Sequence, residues 1–91
     1  DRTLVAGLRR AHRELAKVGI HPSGGAQGWL DCRGIDDRYI RRLATLAFLA
    51  PDIQVAMLEG RQPVGLTLQS LIEKPLPLSW EDQRVALGIT A

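Results

Sequence analysis

Ninety-one residues of 10.0 kDa, 45% hydrophobic and 24% charged, make one small globular domain and exclude a disordered chain. One cysteine, Cys32, and two histidines, His12 and His21, exclude an internal disulfide and a zinc module, and no apolar run approaches the roughly 18–20 residues of a membrane span. The net charge of +2 is unevenly divided: residues 1–42 carry nine basic against five acidic side chains, a net of +4, and residues 43–91 carry three against five, a net of −2.

The spacing of Leu4, Leu8, Ala11, Leu15 and Val18 predicts a first helix from Thr3 to about Val18, with Arg10, Arg13 and Lys17 opposite the apolar stripe and Gly19 as its stop. His21-Pro22-Ser23-Gly24-Gly25 reads as a loop. A short apolar patch, Trp29-Leu30, leads to Gly34. Asp36 is the expected N-cap of a helix that begins at Asp37, with Ile40, Leu43, Ala44 and Ala47 on one face and Arg38, Arg41, Arg42 and Thr45 on the other. The run Leu46 to Leu49 is apolar on every side, which requires enclosure. Pro51-Asp52 opens a short helix to about Glu59, stopped by Gly60. Thr67 caps a further stretch from Leu68 to Ile72, bounded by Pro75 and Pro77, and Ser79 caps a last helix that ends before Gly88. No alternating β pattern of useful length occurs, so the fold class is all-α: a small helical domain with a helix-turn-helix and short C-terminal helices.

Residues 26–48 fit a helix-turn-helix. Gly34 supplies the turn, Ile35 plugs the angle, and Trp29, Ile40 and Leu43 stand where the motif buries apolar side chains. Asp37, Arg38, Arg41, Arg42 and Thr45 then face outward on the helix that would enter a major groove. Ten of the twelve cations are arginine, whose planar donor fork suits guanine edges and phosphates. Gly28 lowers the helical propensity of the first motif helix, and Asp37 sets a carboxylate near the expected phosphates.

The order Tyr39-Ile40-Arg41-Arg42-Leu43-Ala44-Thr45-Leu46-Ala47-Phe48-Leu49-Ala50-Pro51-Asp52-Ile53, then Glu59-Gly60-Arg61-Gln62-Pro63 and Leu66-Thr67-Leu68, resembles the C-terminal helical region of serine site-specific recombinases. So do Leu8 to His12 near the start and Pro77 to Gly88 near the end. The resemblance implies a resolvase-type catalytic domain N-terminal to this segment. It also implies a DNA-binding role for the segment itself, with Arg38, Tyr39 and Arg42 on matching positions.

The expected DNA-contacting residues are Arg38, Tyr39, Arg41, Arg42 and Thr45 on the recognition helix and Arg9, Arg10, Arg13 and Lys17 on the first helix. The expected partners are double-stranded DNA, the catalytic domain of the same parent chain and, in one arrangement, a second copy of the domain. No catalytic set, metal site or cofactor is expected. Cys32 reads as a structural thiol, His12 as a surface residue of a basic helix, Trp29 and Trp80 as core anchors, and Ser23-Gly24-Gly25-Ala26 lacks the lysine of a phosphate loop. Asp36-Asp37 and Glu81-Asp82 fall at helix starts, where capping accounts for them. The chain begins at Asp1 rather than Met, which points to a piece of a longer protein, and with no signal peptide the expected setting is the reducing cytoplasm. Two competing readings use the same residues: a protein-interaction or oligomerisation module with a degenerate helix-turn-helix, and a stand-alone transcriptional repressor.

Overall fold

The computed structural model describes residues 2–22, 25–63 and 65–89; residues 23 and 24 of the predicted loop lie outside them. Six α-helices are described: α1 (Arg2–Lys17), α2 (Gly25–Cys32), α3 (Arg38–Ala44), α4 (Pro51–Leu58), α5 (Leu68–Glu73) and α6 (Trp80–Ala86). A 3-10 segment, Thr45–Phe48, follows α3 directly. No strand forms among the described residues, as the all-α reading expected. The radius of gyration of 12.1 Å is that of a close-packed domain of this length.

Three of the predicted stops work alike. Gly19, Gly60 and Gly88 take φ values of 72°, 75° and 70°, a region that glycine enters without a Cβ clash. Each closes a paired turn: Ile20 N–H donates to Leu15 O, Arg61 N–H to Ala56 O and Ile89 N–H to Arg84 O, at 3.0, 2.7 and 2.8 Å. Because α1 ends at Lys17, Val18 enters this turn and is 53% exposed, so it is not the last member of the buried stripe.

Leu4, Leu8, Ala11 and Leu15 bury one face of α1, which packs on α3, the 3-10 segment, α4 and α5. Gly7 lies under Leu68, where a Cβ would stand 2.5 Å from Cδ1, so the absence of a side chain lets α5 approach. The centre of the molecule is the continuous buried run Leu43 to Ala50. It contains the all-apolar turn that had required enclosure.

α3 is shorter than the sequence pattern suggested. Thr45 Oγ1 donates to Arg42 O at 2.6 Å, and the chain tightens there into the 3-10 segment. This segment leaves Ala47, Phe48, Leu49 and Ala50 with backbone groups outside any helical ladder. Two glutamines answer them. Gln54 on α4 donates to Ala47 O and Leu49 O at 3.2 and 2.8 Å. Gln83 on α6, 1% exposed, donates to Phe48 O and Pro77 O at 3.2 and 2.9 Å and accepts from Ala50 N–H at 2.9 Å.

Candidate nucleic-acid interface

The apolar stripe of α1 fixes where its cations go. Arg2, Arg9, Arg10, Arg13 and Lys17 are all exposed and project from the half of the helix opposite Leu4, Leu8 and Leu15. Glu14, the sole acid of α1, lies 3.8 Å from Arg10 and 3.1 Å from Lys17, pairs too exposed to hold those cations firmly.

The cap of α3 is Asp37 rather than Asp36: its Oδ1 accepts from Ile40 N–H at 2.9 Å. Its carboxylate is thereby held at the helix start and remains exposed beside Arg38, so a negative charge stays at the turn where phosphates were expected. Arg38 and Tyr39 occupy the first turn and are exposed. The Arg10 guanidinium lies 5.8 Å from the centre of the Tyr39 ring, a cation–π contact that joins the basic face of α1 to the start of α3.

The remaining predicted contacts on α3 are not outward. Arg41 is half-buried and its Nη1 donates to Ile35 O at 2.8 Å, fastening the turn to the helix that follows it. Arg42 is half-buried as well, and Nη1 donates to Ile72 O and Glu73 O at 3.0 and 2.7 Å, satisfying the last carbonyls of α5. Thr45 is 6% exposed and bonded within its own turn. α5, some thirty positions on in the chain, covers the face that periodicity alone assigned to solvent. The outward set on α3 is therefore Arg38 and Tyr39.

Gly34 lies in the turn as expected, without taking a left-handed φ; successive N–H groups of Arg33, Gly34 and Ile35 donate three residues back, to Leu30, Asp31 and Cys32. Ile35 packs against the core as predicted. Gly28 has a packing reason: a Cβ there would meet Phe48 at 3.1 Å and His21 O at 3.2 Å. Trp29 meets Phe48 edge-on at 6.4 Å, and so anchors α2 to the core. Trp80, by contrast, is 51% exposed and is no core anchor.

Cys32 is fully buried and unpaired, and burial pushes its thiol up against the opposing pull of the Arg41 charge, so it stays a thiol at neutral pH. His12 Nε2 lies 3.1 Å from Gln54 Oε1, which ties α1 to α4 through the same glutamine that holds the 3-10 segment. Sequence reading missed Gln54 and Gln83. Their available signal was position: Gln83 falls four residues before Leu87, on a face otherwise apolar.

Among the described residues no group of three or more His, Cys, Asp or Glu side chains is placed to hold a metal, and no helix is long and apolar enough to cross a membrane. No protein-family model, curated protein or solved structure matches the chain.

Proposed function

We propose that this domain is a non-catalytic DNA-binding module whose contact surface runs from the outer face of α1 to the first turn of α3. The observation that carries the proposal is the junction at Arg10 and Tyr39, which makes Arg10, Arg13 and Lys17 continuous with Arg38. Cations along one helix face suit a row of phosphates, and the N-terminal turn of a recognition helix is the part that meets base edges. Arg38, with its bidentate fork, is the candidate base reader and Tyr39 its neighbour, while Arg41, Arg42 and Thr45 hold the turn and the helix together. The resemblance to serine recombinases adds a task, that of holding a separate catalytic domain at its site. A stand-alone repressor would use the same surface.

Fluorescence anisotropy with mixed-sequence duplex DNA at about 50 and 200 mM salt tests the reading. Four to five phosphate contacts at a slope of about −0.9 each predict a roughly 150- to 500-fold loss of affinity over that fourfold range of salt. Arg10→Ala, Arg13→Ala and Arg38→Ala combined should weaken binding and flatten the slope by about three. Binding that is indifferent to salt, or unchanged in the triple variant, would overturn the proposal.

A further inference from the structure

A cavity of about 360 Å³ lies among α2, α3 and the segment that joins α5 to α6. Arg33, Arg41 and Arg42 line it together with Trp29, Pro75 and Pro77, and no aspartate or glutamate is among its lining residues. Arg33 directly follows α2, and Arg41 and Arg42 are neighbours on α3. The tight turn through Gly34 therefore brings three guanidinium-bearing side chains to one small space.

Nothing in the fold neutralises these cations. Arg41 and Arg42 are half-buried, and the carbonyls they hold, those of Ile35, Ile72 and Glu73, carry no net charge. Each engages only Nη1, which leaves Nε and Nη2 without a partner among the described residues. Arg33 is exposed and, among the described residues, its side chain forms neither an ion pair nor a hydrogen bond. Asp31, Asp37 and Glu73, close in the chain, accept from Gln27, Ile40 and Gln69 instead. Three like charges around one cavity repel one another, and an anion between them removes that cost.

We infer that this cavity binds a phosphoryl group carried by a small phosphate monoester, with Arg33, Arg41 and Arg42 as its donors. A guanidinium fork meets two phosphate oxygens at once, a match that an ammonium lacks. A monoester carries a charge of about −1.5 to −2 at neutral pH, so it answers more of the three cations than a carboxylate or a backbone diester would. The volume lies at the small end of ligand pockets, which run from about 300 to 1,000 Å³. Trp29, Pro75 and Pro77 give the body of such a molecule an apolar wall.

Titrating the nitrogen-15-labelled 91-residue chain with inorganic phosphate from about 0.1 to 20 mM, at an ionic strength held constant with sodium chloride, tests the inference by NMR. The indole N–H of Trp29 should shift and saturate, while that of Trp80, which lies outside this cavity, stays in place. Arg33→Gln removes a side chain that holds nothing in the fold, so the helical spectrum should be unchanged and phosphate affinity at least about tenfold weaker. Phenyl phosphate should bind several-fold tighter than inorganic phosphate, because its ring meets the apolar wall. Phosphate shifts no larger than those of chloride, or binding that Arg33→Gln leaves unmoved, would overturn the site. Phenyl phosphate no tighter than inorganic phosphate would overturn the monoester. So would an Arg33→Gln loss of duplex affinity as large as its loss of phosphate affinity, which would assign the phosphoryl group to a nucleic-acid backbone. The combined Arg10→Ala, Arg13→Ala and Arg38→Ala variant should still bind phosphate, so this inference and the DNA reading fail separately.

Discussion

Replacing Gln83 by Leu should cost the domain a large share of its stability, although it swaps one medium-sized side chain for another of similar volume. Three bonds disappear together: those to Phe48 O, Pro77 O and Ala50 N–H. Ala50 is 0% exposed and precedes α4 in extended backbone, so its N–H has neither a helical partner nor water to turn to. One orphaned buried donor costs about 1–3 kcal/mol, and two carbonyls stripped of a bond add to that. The added apolar contact of Leu recovers part, leaving a net loss of about 2–4 kcal/mol. For a domain of this length each kcal/mol moves Tm by about 4–8 °C, so a fall of roughly 8–32 °C is expected. Circular dichroism at 222 nm measures it, and urea unfolding should show a lower midpoint at unchanged slope. Gln69→Leu, at an exposed position on α5, is the control and should move Tm by no more than about 3 °C. If Gln83→Leu melts within that same margin, the two-glutamine account of the 47–50 corner is wrong.

Two further outcomes follow from titratable groups. The Arg84 guanidinium, bonded to both oxygens of Asp52 at 3.1 and 2.8 Å, holds that exposed carboxyl below the usual carboxylate range. A depressed folded-state pKa contributes stability that is present above the unfolded value, near 3.9, and is lost as pH falls through the folded one. The Tm of the native chain should therefore exceed that of Asp52→Asn at pH 7, and the gap should close on acidification below that range; a gap independent of pH refutes the pairing. Cys32, buried with its thiol pushed up, should react with a thiol reagent at pH 8 at least about a hundredfold slower in the folded chain than in urea, and equal rates would show that α2 does not cover it.

Five of the six helices were legible because each carried two independent local signals, an apolar stripe or pair and a terminal residue with a capping or stopping role; α2 carried only the Trp29-Leu30 pair. Thr67 and Ser79 accept from the backbone of their own first turns, as their positions before the apolar runs implied. The candidate contact surface was legible only in part, and the physical reason is the same for each miss. Periodicity tells which face of α3 is polar, but not whether water or another backbone meets it. The carbonyls that take Arg42 belong to Ile72 and Glu73, and no local pattern announces that α5 will end there. Trp80 follows likewise: it reads as a buried anchor by type, yet it occupies the first position of α6, at the lip of a groove rather than in the core. Gln54 and Gln83 were hidden because the orphan groups they satisfy exist only once Thr45 has tightened the helix into a 3-10 turn.

The inward turn of Arg41 and Arg42 changes what the basic half can do without changing its charge. Their partners are neutral carbonyls, not carboxylates, so both guanidiniums keep their full charge beneath the surface that Arg38 and Tyr39 present. Over a Debye length of about 8–10 Å at physiological salt, that charge would still draw a phosphate backbone toward α1 and α3 if the proposed reading holds. Base recognition is another matter, because a bidentate contact requires the guanidinium to leave the protein and reach the groove. Among the described residues only Arg38 of the α3 arginines has no backbone anchor, so it alone could do so. One such contact discriminates by about 1–3 kcal/mol, so a single copy of the proposed DNA surface would attract duplexes strongly and choose among them weakly. Selectivity would then have to come from joining two copies.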